Sequence, residues 1–125
     1  MSTSAPLLST LESYLKLTTS REQAISANMA NIDTPGYHTR DIDFQGELTK
    51  AMTSVMNQTG EGTEGPHLTP AVREVQGLME RPDGNNVDLD REGLLMSETQ
   101  LQYQIGIQLV KNHFHGLLSA INGGN

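Results

Sequence analysis

Cysteine and tryptophan are absent from this 125-residue sequence, and aromatic residues make up only 4% of it. Without cysteine, a disulfide framework, a thiol nucleophile and a cysteine-based metal site are all excluded. Hydrophobic residues account for 35% of the chain, which is a small supply for a domain that must offset about 1 to 2 kcal/mol of backbone entropy per residue. We therefore expect residues 1–125 to form one domain that obtains further apolar burial from neighbouring subunits.

Positive charge is also scarce, because eight Lys and Arg residues stand against fifteen Asp and Glu residues and give a net charge of -7. Nucleic-acid binding needs clustered basic side chains, so we expect no nucleic acid among the partners. No stretch of about 18 consecutive apolar residues is present, and the N-terminus lacks the basic and apolar regions of a Sec signal peptide. The sequence predicts a soluble protein without a membrane span.

Patterns for catalysis and metal binding are missing as well. There is no Gly-x-Ser-x-Gly sequence, no phosphate-binding loop and no carboxylate pair in apolar surroundings, so we expect no enzyme and no catalytic residue. His113 and His115 would lie on different sides of a helix rather than on one face. The acids that begin at Asp88 imitate the start of a calcium loop, but Thr99 occupies the place of the bidentate glutamate. We expect neither a metal nor a cofactor.

Apolar residues near the N-terminus recur at alternating spacings of three and four, which is the pattern of a coiled-coil seam. Thr18 and Glu22 fill the two polar places in this seam. Its apolar members are Leu8, Leu11, Leu15, Ile25, Met29 and Ile32. Because Pro35 disfavours helical geometry at the residue before it, we expect this helix to span residues 5–33.

A second seam runs almost to the C-terminus and predicts a helix over residues 88–122. Its members are Leu89, Gly93, Met96, Gln100, Tyr103, Ile107, Val110, Phe114, Leu117 and Ile121. A further apolar set, which a single partner helix would leave partly exposed, comprises Leu94, Leu95, Leu101, Ile105, Leu109 and Leu118. The remaining face is polar but uncharged, as in a helix surrounded by other chains. We expect both seams, together with Leu101, to form the helix packing and the subunit interface.

The segment over residues 34–56 is predicted to hold a turn and a short helix. Pro35 and Gly36 favour a type II turn, and Ile42 alternates with acidic neighbours as a short extended piece would. The apolar positions of the short helix are Phe44, Leu48, Met52 and either Val55 or Met56. Residues 57–87 are predicted to be irregular, with a flexible loop over 57–70 and then a strand or hairpin that closes on 82–86. The predicted fold is mainly α, an antiparallel coiled-coil-like pair of long helices with an irregular middle.

The sequence ANMANIDTPGY at the end of the first helix resembles the Ala-Asn-x-x-Asn-x-x-Thr-x-Gly-Tyr signature of the bacterial flagellar rod and hook proteins. The matching positions are Ala27, Asn28, Asn31, Thr34, Gly36 and Tyr37, with Pro35 inside the same turn. The downstream sequence DGNNVDLDREG is similar to that of the proximal rod members of this family. The resemblance covers both ends of the chain, leaves residues 57–82 unsupported, and implies that the Asn28 and Asn31 amides fix how the turn folds back on the helix.

The resemblance implies a structural subunit of the flagellar basal body, whose terminal helices polymerise around a central channel with copies of itself and with other rod subunits. It implies a place at the base of the periplasmic rod, beside the membrane ring and the adaptor protein FliE. Such proteins leave the cytoplasm through the flagellar type III apparatus, where a Phe-x-x-x-apolar motif docks on the export gate protein FlhB. Phe44 and Leu48 match that motif, since residues i and i+4 share a helix face. The alternative is that both residues simply pack on the helix pair.

The same heptad pattern is also compatible with a second function, that of a soluble coiled-coil adaptor or chaperone that binds a single partner. This alternative predicts a defined small complex in solution rather than a tubular polymer. For the rod subunit, the sparse core predicts a monomer that is partly disordered before export and becomes ordered on assembly.

Overall fold

The computed structural model describes residues 4–57 and 69–123, which form three helices and two short strands. In chain order the elements are α1 (Ser4–Ala30), β1 (Arg40–Ile42), α2 (Phe44–Met56), β2 (Val72–Glu74) and α3 (Leu89–Asn122). The strands pair antiparallel, with Arg40 opposite Glu74 and Ile42 opposite Val72. The predicted mainly α fold with a long helix at each end is confirmed. Most of the loop predicted over 57–70 lies outside the described residues.

The two long helices lie side by side and run in opposite directions. At one end the Asn28 side chain of α1 bonds to Glu92 of α3, and further along Gly106 of α3 lies against Tyr14 and Leu15 of α1. Residue 28 of α1 is thus level with residue 92 of α3, and residue 14 with residue 106. At this register the start of α1 is level with about residue 116, so the last turns of α3 extend past the first described residue of α1.

The line of α3 that faces α1 differs from the predicted seam. The buried residues of α3 are Glu92, Thr99 and Gly106, spaced seven apart, whereas the first residue of the predicted seam, Leu89, is 50% exposed. A Cβ built on Gly106 would come within 2.7 Å of the Leu15 side chain. The absence of a side chain at Gly106 allows the close approach to α1 there, and Glu92 lies on the same line because it bonds to Asn28, so the large apolar residues of α3 lie to either side of the contact.

The first helix buries two rows of residues, because it contacts α2 and β1 as well as α3. The first row contains Leu11, Thr18 and Ile25, which belong to the predicted seam. The second row, which the heptad pattern did not indicate, comprises Ser13, Leu17, Ala24 and Asn28. Most of its members are small or polar, so hydrophobic periodicity alone does not reveal it.

The short helix α2 occurs where the sequence predicts one, but its buried side is partly different. Met52, predicted on the apolar side, is 43% exposed, and of the two alternatives for the last apolar position Val55 is buried whereas Met56 is 78% exposed. The buried residues of α2 are Glu47, Ala51 and Val55. The prediction is therefore wrong at Met52, because the helix buries a line through a glutamate and an alanine that a search for large apolar residues passes over.

Candidate functional site

The first helix ends in a hydrogen-bonded turn formed by the motif residues. The Asn31 amide nitrogen donates to the carbonyl four residues before it at 2.8 Å, and the Asn31 amide oxygen accepts from the Thr34 hydroxyl at 3.0 Å. The Tyr37 N–H donates to the Thr34 carbonyl at 3.2 Å, and Gly36 has a φ of 76°. A positive φ at the third position is what a type II turn requires, so the turn has the form that the sequence predicts.

The Asn28 amide is completely enclosed, with 1% of the residue exposed. Its nitrogen donates to the Arg40 carbonyl at 2.8 Å and to the Glu92 carboxylate at 3.1 Å. Its oxygen accepts from the Tyr37 hydroxyl and from the Arg40 N–H, both at 3.0 Å. Both donors of the amide and both lone pairs of its oxygen are thus used. One side chain thereby joins the end of α1, the first strand and the start of α3.

Asn85 and Asn86, just before α3, complete the arrangement from the other side. The Asn85 amide nitrogen donates to the carbonyls of Asn31 and Thr34 at 2.9 and 2.8 Å, in addition to the backbone bonds that these carbonyls accept from Thr34 and Tyr37 within the turn. The Asn86 amide oxygen accepts from the Thr39 N–H at 2.6 Å. Both asparagines are buried. Of the strand or hairpin predicted before them, the structure contains the strand β2, which pairs with β1 rather than within its own segment, and residues 82–84 form a turn in which the Gly84 N–H donates to the Arg81 carbonyl.

Glu92 is a completely buried carboxylate in the first turns of α3. Besides its bond to Asn28, it accepts from the Arg91 guanidinium at 2.9 Å. Asp88 caps the helix, since its carboxylate accepts from the Arg91 N–H at 3.2 Å, and a helix N-terminus favours negative charge. The acids that imitate a calcium loop therefore serve as a helix cap and as an internal hydrogen-bond acceptor.

We call the polar cluster of Asn28, Tyr37, Asn85, Asn86 and Glu92 the motif hub; Tyr37 is half-buried and the other four are buried. The turn meets the segment before α3 at two glycines: the Gly36 N–H donates to the carbonyl of residue 83 at 2.9 Å, and a Cβ built on Gly84 would stand 3.4 Å from the Gly36 Cα. Sequence reasoning found Asn28 and Tyr37 through the motif but missed the roles of the other three. The only signal for them was the downstream stretch DGNNVDLDREG.

The two residues of the proposed export motif lie at the start of α2. Asp43 caps this helix by accepting from the Gly46 N–H at 3.2 Å. Phe44 and Leu48 are both half-buried, and the Phe44 ring meets the Tyr14 ring edge-on at a centroid distance of 5.5 Å. Burial also raises the pKa of the Tyr14 hydroxyl above its ordinary value of 10.0. In the folded chain the two motif residues are therefore only partly accessible to another protein.

The distal half of α3 carries a long apolar surface that α1 does not cover. We call it the distal stripe; its members, each between 40% and 71% exposed, are Leu101, Ile105, Leu109, Phe114, Leu117, Leu118 and Ile121. Tyr103 is 39% exposed, and Met96, Ile107 and Val110 are half-buried. Within residues 101–123 Lys111 is the only Lys, Arg, Asp or Glu. This stretch is therefore apolar, long and almost without charge.

Two negative findings hold for the part of the chain that the structure describes. Residues 4–57 and 69–123 contain no group of three or more His, Asp or Glu side chains placed to hold a metal ion. Over the same ranges, no helix combines the length and the hydropathy that crossing a bilayer requires.

Comparison with known proteins gives a consistent result. No protein-family model matches the chain. The chain is 37% identical over 123 residues to the flagellar basal body rod protein FlgB of Salmonella typhimurium, with 89% of each chain covered. It is 38% identical over 123 residues to FlgB of Escherichia coli, again with 89% of each chain covered. With FlgB of Cereibacter sphaeroides the identity is 36% over 117 residues, which cover 87% of this chain and 88% of that protein.

Proposed function

The chain belongs to the FlgB family of flagellar basal body rod proteins, and from that premise we propose that its terminal helices polymerise with those of neighbouring copies to build the proximal rod. Membership makes it a structural component of the basal body rod. We further propose that the subunit lies at the periplasmic base of the rod. There it contacts other rod subunits, the adaptor FliE and the membrane ring.

The distal stripe is the observation that carries this proposal. Its seven side chains keep 40% to 71% of their surface exposed, and burying the remainder of each is worth about 1 kcal/mol. A monomer gains nothing from such a surface, whereas packing between neighbouring chains would recover several kcal/mol per subunit by the same arithmetic. In a rod, each subunit packs against neighbours on more than one side, so the distal stripe of every subunit can be buried by another chain.

The charge distribution on α3 supports the same conclusion. A helix that faces water usually carries Lys and Glu, but residues 101–123 contain one Lys and no acid. Contiguous apolar surface on a soluble chain marks a site of protein contact. Gln and Asn side chains between the apolar positions can bond to a neighbouring chain without the cost of burying a charge.

For export, we propose that Phe44 and Leu48 dock on the gate protein FlhB while α2 is detached from α1. In the folded chain Phe44 packs on Tyr14, so full docking requires this contact to open. The same two side chains then return to the helix pair after export. Phe44 and Leu48 thus bind the gate protein during export and pack against α1 afterwards.

The assembly proposal is tested by replacing Leu117, Leu118 and Ile121 with serine in a strain that lacks its own copy of the chain. We expect the variant to be missing from purified basal bodies and the cells to be non-motile, as measured by immunoblot and by soft-agar swimming. The matched control is Met52→Ser with Met56→Ser, which changes exposed apolar residues of α2 and should leave both readouts normal. Normal incorporation of the triple variant would contradict the proposal. A labelled chain that gives a small soluble complex and no basal-body signal would favour the adaptor alternative.

The export proposal is tested separately by the double variant Phe44→Ala with Leu48→Ala. We expect secretion to be abolished while the cytosolic amount stays unchanged, as measured by immunoblot of culture supernatant and of cells. Met52→Ala with Met56→Ala is the control on the same helix and should be secreted normally. Secretion of the Phe44 and Leu48 variant at the normal level would remove this part of the proposal.

A further inference from the structure

The side of α3 that faces α1 is not the side with the largest apolar residues. The contact runs along Glu92, Thr99 and Gly106, none of which has a large apolar side chain. The predicted seam lies roughly a fifth of a turn away around the helix, and there Leu89 and Tyr103 stay 50% and 39% exposed. Apolar burial alone would favour the seam, because its stabilisation grows with the area removed from water. Another interaction must therefore set the rotation of α3 about its own axis.

The contact line offers few candidates for this interaction, because its hydroxyl groups bond within their own helices. The Thr99 hydroxyl donates to the carbonyl four residues before it, and the Thr18 hydroxyl of α1 donates to the carbonyl three residues before it, both at 2.7 Å. Neither bond depends on how α3 is turned. Among the residues that the structure describes, one side-chain hydrogen bond joins the two long helices, the 3.1 Å bond from the Asn28 amide to the Glu92 carboxylate.

The bonds that Asn85 and Asn86 contribute to the motif hub act before the helix begins. They tie the segment in front of α3 to the turn and to Thr39, and so fix where α3 starts. Beyond its start, α3 packs mainly on α1. The Glu92 carboxylate projects from the body of the helix, and a helical side chain points in one direction that turns with the helix. Its bond to Asn28 therefore restrains the rotation.

The Asn28 amide makes this bond costly to break. If α3 turned towards its seam, the Glu92 carboxylate would leave Asn28, and a residue that is 1% exposed would keep an N–H group without a partner. An unpaired buried donor costs more free energy than an average hydrogen bond contributes. Buried polar side chains are known to fix the alignment of paired helices at a cost in stability.

We propose that Glu92 is a positioning residue, which through its bond to Asn28 fixes the rotation of α3 so that the line through Gly106 faces α1. Without the Glu92 acceptor, the Asn28 donor is unpaired whichever face α3 presents, and apolar burial then turns the helix towards its seam. The inference goes beyond the proposed function, because it names the residue that decides which side of α3 is left open to other chains.

Two adjacent single cysteines report the rotation, since the chain contains no cysteine of its own. Thr99 lies on the contact line and is 0% exposed, whereas Gln100 belongs to the predicted seam and is exposed. Consecutive helix residues point about 100° apart, so a turn towards the seam exposes Thr99→Cys and buries Gln100→Cys. The measurement is the maleimide labelling rate of each cysteine in the purified full-length chain, with and without Glu92→Ala.

Opposite changes at the two cysteines are the expected result. With Glu92→Ala, labelling of Thr99→Cys should become faster by about fivefold or more, and labelling of Gln100→Cys should become slower by about twofold. Unfolding would accelerate both reactions, so the opposite signs identify a rotation. Unchanged rates at both positions, or faster labelling at both, overturn the proposal.

Two further variants separate the bond from the charge and from the substitution itself. Glu92→Gln keeps an oxygen that can accept from Asn28, so it should retain both native rates although the charge is lost. Glu98→Ala is the matched control, because it removes an exposed acid of α3, and it should change neither rate. If Glu92→Gln gave the same rates as Glu92→Ala, the charge rather than the bond would set the rotation and the proposal would fail.

The consequence for assembly rests on the proposed function and is measured separately, in a strain that lacks its own copy of the chain. Immunoblots of purified basal bodies should show less Glu92→Ala than Glu92→Gln at equal expression, because the rotated helix presents other residues to its neighbours. Rotation by labelling with equal incorporation of both variants would leave the role of Glu92 standing and count against assembly through the distal stripe. Native labelling rates would overturn the positioning role and leave the proposed function standing.

Discussion

The two ends of α3 differ in what satisfies their side chains. At the motif hub, Glu92 is completely buried and bonds to Asn28 and to its neighbour Arg91 within the same chain. In the distal half, Phe114 and Ile121 are 47% and 71% exposed although they are large and apolar. The first region is polar and enclosed, and the second is apolar and open.

The difference shows which groups find their partners within one chain and which need a second chain to be buried. Buried polar groups need partners at fixed distances and angles, and the hub finds all of them within the chain. Apolar surface has no such directional demand and can be covered by any chain of fitting shape. We therefore expect the hub to resist local unfolding and the distal half of α3 to open readily in the isolated subunit.

The largest effect is expected for Asn28→Ala. Removing this amide takes away one of the two bonds of the buried Glu92 carboxylate and the side-chain partner of the Tyr37 hydroxyl and of the Arg40 backbone, so the free energy of unfolding should fall by about 3 kcal/mol. The control in the distal half is Asn112→Ala, which removes only one exposed bond to Gln108 and should cost less than about 0.5 kcal/mol. Urea unfolding followed by circular dichroism measures both. Equal losses would break the comparison.

Two glycines on α3 allow the same substitution to be compared inside and outside the contact with α1. Gly106→Ala would place a Cβ 2.7 Å from Leu15 Cδ2 and 3.1 Å from the Tyr14 ring, so we expect a loss of about 1 kcal/mol despite the better helix propensity. A Cβ on Gly116 meets nothing within 4 Å, and Gly116→Ala should gain about 1 kcal/mol from propensity. Thermal unfolding gives the sign of each change. A gain at both positions would mean that the close approach of α1 and α3 carries no strain.

A smaller effect is expected for Leu118→Ser, because this side chain is 57% exposed. The free energy of unfolding of the isolated subunit should change by no more than about 0.5 kcal/mol, while the subunit is less well incorporated into basal bodies. Urea unfolding and a basal-body immunoblot of the same variant test the two halves of the statement. A clear loss of stability would indicate that the distal stripe packs within its own chain.

The smallest effect concerns Tyr14, where α1 meets both other helices. Burial raises the pKa of its hydroxyl above 10.0, so the neutral form is favoured in the folded state. The corresponding stability is fully present below about pH 10 and is lost as the pH rises through the raised pKa. An absorbance titration at 295 nm of the chain and of Tyr14→Phe, each with and without urea, isolates this group. A Tyr14 titration at the same pH in both states would contradict the burial.

Local sequence signals predicted a large part of this architecture. The heptad spacing indicated both long helices, and the alternation around Ile42 indicated the short strand. The turn was predictable because its cause is local, since Pro35 restricts its neighbour and Gly36 accepts a positive φ.

Partners distant in sequence were beyond such reasoning. Asn85 bonds to the Asn31 carbonyl across 54 positions, and no local pattern states which carbonyl an asparagine will reach. The contact face of α3 was displaced from the seam for a similar reason. Gly106 faces α1 because Tyr14 and Leu15 lie opposite it. The sequence of α3 alone does not show which residues of another helix it will contact.

The sequence by itself determined where the helices lie, where the chain turns, and that α3 carries more apolar surface than one partner can cover. Those properties follow from backbone sterics and side-chain periodicity, which act over a few residues. Only the tertiary structure decided which face of α3 meets α1, and that Asn28, Asn85 and Glu92 form one buried hub. Close packing and hydrogen-bond geometry depend on groups that meet only after the chain has folded, so they are determined by the two contacting segments together and not by the sequence of either one.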